Sequence, residues 1–147
     1  MPAFGPWEYA RDVDATVAAY ARTQGGGATT CGCAGCRNFV RARPRVFPDS
    51  FLAILGSLGI DPAKDLRVCQ HARLAPGRHG YTGSFLFVGD LLRPGPHEYV
   101  SVGEGLTVSL SRGGLHGPAP AFEGLAVVIL DFHADAVPWV LDEPEID

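Results

Sequence analysis

Several features are scarce or missing in this chain. Of twelve basic side chains only Lys64 is a lysine, and no glycine-rich phosphate loop of the GxGxxG or GxxxxGK[ST] kind lies between a strand and a helix. No GxSxG and no serine in triad-like surroundings occurs either. The longest apolar run, Leu125 to Leu130, falls far short of the roughly twenty residues of a membrane span. The formal charge is −4, which argues against general attraction to nucleic acid or to anionic membranes. These absences leave no signal for nucleotide binding by the common loops or for acyl transfer by a serine nucleophile, and no positive motif for an enzyme. The chain opens Met1-Pro2-Ala3-Phe4-Gly5 without a charged-then-apolar leader, so a cytoplasmic location with mostly reduced cysteines is expected.

What is present is an ordinary globular composition, 46% hydrophobic and 19% charged over 147 residues, enough for one domain spanning 1–147 with one core. Asp12 or Asp14 can cap a helix over 13–22, with Val13, Val17 and Tyr20 on one face. "TQGGGATT" (23–30) reads as a flexible connector. A second helix is predicted over 34–43, with Cys36, Phe39 and Val40 sharing its inner face and Pro44 ending it. A third begins near Pro48, buries Phe51, Leu52, Leu55 and Leu58, and stops at Gly59 in a Schellman-type turn. From Leu66 the period becomes two: strands are predicted around 66–71 and 81–89, a hairpin around Gly103-Glu104-Gly105, and a covered central strand at "GLAVVILDFH". Helices first and strands later predict an α+β fold, with short N-terminal helices packed on a mainly antiparallel sheet of about five or six strands. The acidic tail "LDEPEID" is expected to be exposed.

The strongest chemical signal is Cys31-Gly32-Cys33-Ala34-Gly35-Cys36. Cys33 and Cys36 have knuckle spacing, with small residues between them whose amides can turn toward sulfur, and Cys31 adds a third soft ligand. Such a set suits zinc or Cu(I) rather than magnesium or calcium. A tetrahedral ion needs a fourth ligand. Cys69 and His71, two apart on a strand and hence on one side of it, can supply one. No second CxxC accompanies the first. A thiol-redox role for Cys33 and Cys36 has its own basis, since Cys33 would sit at the positive end of the second helix. The plain alternative has Cys36 packing as a small hydrophobe. Beside a metal protein and a redox protein stands a third class, a non-enzymatic interaction or immunity-like protein with a protein partner, which small size and acidic balance fit.

Weaker features have plainer readings. Asp131, His133 and Asp135 alternate along a strand and can ligate a harder cation or form a base–orienter pair, although a buried strand emerging into solvent turns polar in the same way. Arg37, Arg41, Arg43 and Arg45 read foremost as a solvated helix face. His79, His97 and His116 lie in Pro/Gly-rich stretches and are expected to be exposed.

On "CGCAGCRNF", "FPDSFLAILGSLGIDPAKD", "PGRHGYTGSFLFVG" and "VPWVLDEPE" the chain resembles an uncharacterised family of small bacterial proteins, which carry C-x-C-x-x-C followed by Arg-Asn-Phe. Cys31, Cys33, Cys36, Arg37, Asn38 and Phe39 match that motif. The chain departs from the family pattern at Ser84 and Leu86, where Trp and His are usual, and at Cys69, where tyrosine is. The last departure counts against Cys69 as a family ligand. The resemblance implies an architecture and no activity.

Overall fold

The computed structural model describes residues 3–93, 98–112 and 119–147. His97 and His116 lie outside the described residues. The expected α+β architecture is observed, with four α-helices among the described residues packed on an antiparallel sheet. The strands are β1 (Ala3–Phe4), β2 (Trp7–Arg11), β3 (Arg67–Ala75), β4 (Arg78–Leu91), β5 (Val100–Gly103), β6 (Leu106–Ser111) and β7 (Val127–Pro138). They run in the order β1-β2-β4-β7-β6-β5, and β3 pairs with the other half of the long β4. Sequence reading missed the first two strands, whose alternation is short but buries Trp7 and Tyr9.

The helices are α1 (Val13–Ala21), α2 (Gly27–Cys31), α3 (Ala34–Val46) and α4 (Asp49–Leu58). α3 and α4 cover one face of the sheet. Between them and the sheet Phe39, Phe47, Phe51, Phe85 and Phe132 form a continuous aromatic cluster with Tyr81 against Phe39, neighbouring centroids lying 5.1–6.4 Å apart. Edge-on and tilted contacts of this kind add to what burial alone contributes.

Three helix expectations need correction. Val17 is 52% exposed, and α1 instead buries Thr16, Ala19 and Tyr20. The reason lies in β4, whose outer edge is left unpaired between β3 and β2. The Tyr20 hydroxyl donates to Leu86 O (2.7 Å) and accepts from Leu86 N–H (3.1 Å). Thr16 Oγ1 accepts from Val88 N–H at 2.9 Å, and Asp12 N–H donates to Val88 O at 2.8 Å. An open sheet edge must be satisfied or covered, so two hydroxyls one helical turn apart set the inner face of α1 in place of its valines. The second correction concerns Pro44, which lies inside α3 rather than ending it. A proline in a helix interior costs about 3 kcal/mol. Continuing the helix delivers Val46 and Phe47 to the core, each worth roughly 1.5–3 kcal/mol when buried. The third concerns α4, whose inner stripe is Phe51, Leu55 and Leu58, while Leu52, one position and about 100° further round the helix, is 37% exposed. The end of α4 is as expected: Gly59 takes φ 81° and Ile60 N–H donates to Leu55 O.

The supposed flexible connector is also packed. Gly27 N–H donates to Asp65 O, and Ala28 N–H donates to Asp65 Oδ2 at 3.1 Å. A Cβ on Gly26 would stand 2.8 Å from both Ala63 O and Asp65 Oδ1, and one on Gly27 would stand 2.8 Å from Leu66 O. Those glycines are therefore required by close approach. They seat α2, and with it Cys31, against the 61–66 loop. Among the described residues no helix is long and apolar enough to cross a membrane.

Candidate metal centre

The three clustered cysteines occupy a corner between two helices. Cys31 is the last residue of α2, Gly32 turns the chain in the left-handed conformation (φ 76°), and Cys33 is the N-cap of α3. Its sulfur accepts the Cys36 N–H at 3.4 Å. Cys36 follows in the first turn and is buried, whereas Cys31 and Cys33 are exposed. The three Sγ atoms lie within 4.8 Å of one another. Thiolates sharing a tetrahedral ion at about 2.3 Å stand roughly 3.8 Å apart, so small side-chain rotations close the set. Three cysteines that can hold a metal ion are thus brought together as the spacing predicted.

The surroundings divide the thiols. The Cys36 N–H donating to its sulfur holds Cys33 below the usual thiol range, with help from the Cys31 and Cys36 thiols and the Gly35 amide and against a desolvation effect. Burial pushes Cys36 well up, and its contacts with the sulfurs of Cys31 and Cys33 push the same way. Of the CxxC pair, Cys33 is therefore the thiol that gives up its proton first.

The rest of "CGCAGCRNF" holds this corner rigid. Arg37 Nε donates to Gly32 O (3.0 Å), fixing the turn between the helices, and its guanidinium forks onto both carboxylate oxygens of Glu143. Asn38 is fully buried. Its Nδ2 donates to Tyr81 Oη and to Pro138 O, and its Oδ1 accepts from Val140 N–H at 2.7 Å. Tyr81 Oη donates to Gly35 O at 2.8 Å. Gly35 itself occupies a slot in which a Cβ would meet Gln70 Cβ and Ile146 Cδ1 at 3.3 Å. The small residue inside the knuckle thus serves packing as well as backbone access to sulfur.

The tail is docked, contrary to expectation. Glu145 accepts from Gly77 N–H, lies 3.0 Å from His79 Nε2 and pairs with Arg73 at 2.9 Å. His79 stands on β4 and is completely buried, between Gln70 and Glu145 and beside the Trp139 ring. The predicted exposed loop histidine is an anchor for the C-terminal segment. The contacts of Glu145 join residues 66 to 72 positions apart, and local pattern carries no trace of them.

Cys69 and His71 do share a face of β3, but it is the wrong one for the thiols. Gln70, between them, faces α3 at Gly35. Cys69 accepts from Arg67 Nε at 3.4 Å, and the His71 ring lies over His133 on the opposite side of the sheet. The pleat that placed both on one side placed them away from the helix layer. Among the described residues, only Cys31, Cys33 and Cys36 form a group of three or more potential ligands this close together. Arg41 and Arg45 are exposed as expected, while Arg43 is mostly covered and lies 3.6 Å from the buried carboxylate of Asp65.

Comparison with protein-family models, with curated proteins and with solved structures found no match.

Proposed function

We propose that this protein binds one zinc ion through Cys31, Cys33 and Cys36, and that the ion has a structural role. The observation that carries the reading is the meeting of three sulfurs where α2 ends and α3 begins. Soft thiolates favour zinc or Cu(I), and zinc adds no redox chemistry of its own. Bound there, it cross-links α2 to the first turn of α3 and completes the anchoring of residues 23–30 that Asp65 begins. The low-lying Cys33 thiol starts ligation, and metal binding then draws the proton from Cys36. With Cys31 and Cys33 exposed, the fourth position faces solvent, open to water or to a donor from a partner protein.

Native mass spectrometry tests the assignment. Protein purified without added metal is expected to carry one zinc, retained in Cys69→Ser and lost in Cys33→Ser. A folded wild-type protein without metal overturns the reading.

A second reading is favoured by the asymmetry of the pair. An exposed thiol at a helix N-terminus beside a buried one suits disulfide exchange, with the Cys33 thiolate attacking a substrate disulfide and Cys36 displacing the resulting mixed disulfide. The substrate leaves as a dithiol and a Cys33–Cys36 disulfide remains. Rapid alkylation of Cys33 in metal-free protein near neutral pH, followed by disulfide reduction activity, supports this reading; alkylation at the rate of an ordinary exposed thiol excludes it.

A further inference from the structure

The face of the sheet turned away from α3 and α4 carries chemistry that the thiol corner does not use. Strand register sets Arg67, Ser84, Asp131 and Ser109 in one cross-strand row and Cys69, Thr82, His133 and Thr107 in the next. Neighbours in such rows lie within side-chain reach. His71 follows on β3, beyond the register shift between Gln70 and Ala72. Its ring crosses over β4 to lie nearly parallel to that of His133, with centroids 6.2 Å apart and planes at 21°. Tyr99 stands edge-on to His133 at 4.4 Å. Together with Arg67, Thr82, Ser84 and Asp131 these residues line a groove of about 350 Å³.

We propose that this groove is a second metal site, which takes a divalent transition ion of borderline softness, such as zinc, nickel or cobalt, on the imidazoles of His71 and His133 with the carboxylate of Asp131. The donor set is nitrogen and oxygen, so its selectivity differs from that of the thiol corner. Two imidazoles each about 2.1 Å from one ion in tetrahedral geometry bring their ring centroids to roughly 5 Å. The observed separation exceeds this by little, and the exposed His71 has room to close it. Unlike the sulfurs, the three donors are not yet within one coordination sphere, so this site closes on binding. Among the described residues Arg67 is the one permanent cation lining the groove, and Asp131 offsets its charge, so an entering cation meets no net positive wall there. Thr82, between the two histidines, and Ser84, beside Asp131, supply hydroxyls that can orient ligands or bound water. A bound ion would tie β3 to β7 across β4.

Cobalt(II) titration separates this site from the thiol corner. In the Cys31→Ser, Cys33→Ser, Cys36→Ala, Cys69→Ser variant one equivalent is expected to bind with visible ligand-field bands and no sulfur-to-cobalt charge-transfer band. Adding His71→Ala or His133→Ala is expected to weaken binding on the order of ten- to a hundredfold, with Asp131→Asn affecting it less. Absence of binding in the parent variant, or indifference to both histidine substitutions, overturns the proposal. Should the multiple variant fail to fold, wild-type protein already carrying one zinc serves instead. A further equivalent of zinc is then expected to shift the imidazole resonances of His71 and His133 together, and unshifted resonances overturn the proposal. Loss of thiol-bound metal alone would sink the assignment of zinc to Cys31, Cys33 and Cys36 and leave the imidazole site standing.

Discussion

The thiol corner and the imidazole groove lie on opposite sides of one sheet and are assembled in opposite ways. The corner takes its donors from six consecutive positions, and one left-handed turn at Gly32 brings them together. The groove takes its donors from β3 and β7, 62 residues apart in sequence for the two histidines, and relies on register across three strands. The first is preorganised and exposed at two of its three donors, while the second is open by about one side-chain rotation. A local site carries its spacing in the sequence, and a non-local one is encoded only through the sheet.

The largest effect expected from this contrast comes from Cys33→Ser. Serine is a better N-cap than cysteine and keeps the acceptor for the Cys36 amide, so the apo fold should be unchanged. Zinc affinity at the corner should nevertheless fall by about two orders of magnitude or more, measured against a competing chelator. His71→Ala should leave that affinity as it was. If the two substitutions weakened zinc binding equally, the two regions would not be separate sites.

Next is Asn38→Ala, which strips three hydrogen bonds from the scaffold without touching a sulfur. Leaving their buried partners unsatisfied should cost about 2–4 kcal/mol in denaturant unfolding. The thiol corner should loosen while the groove, on the far face, keeps its cobalt response. Tyr81→Phe removes only the bond to Gly35 O and one partner of Asn38. Its expected cost is about 1 kcal/mol, read in the same way.

The smallest effect is confined to acid. The hydrogen bond from His79 holds the Glu145 carboxyl below the usual range, with the Gly77 amide and Arg73 helping against desolvation. A depressed folded-state value stabilises the docked tail above the unfolded carboxylate value of about 4.3 and is lost as pH falls through the folded value. Trp139, beside His79, should report tail release by fluorescence in that window. Glu145→Gln should abolish the acid step while leaving neutral-pH metal binding alone.

The same division explains what could be read before the fold was seen. Periodicity gave the α3 inner face at Cys36 and Phe39, and the glycine stop of α4 lay in its own residues. Val17 was misplaced because hydroxyls of Thr16 and Tyr20 answer a sheet edge that no helix pattern announces. His79 and the tail were misjudged because their partners are each other, far apart in the chain. Gly26 and Gly27 looked like freedom and are close packing against Asp65 and its neighbours. The assignment of Cys69 and His71 to the thiols failed on a single pleat, and that same pleat delivered His71 to His133.

Zinc-edge X-ray absorption on wild-type protein purified without added metal decides whether the thiol corner holds zinc. About one equivalent is expected, with three sulfur neighbours at about 2.3 Å and one nitrogen or oxygen neighbour. A protein that is folded and zinc-free, or whose zinc has no sulfur neighbours, would contradict that expectation.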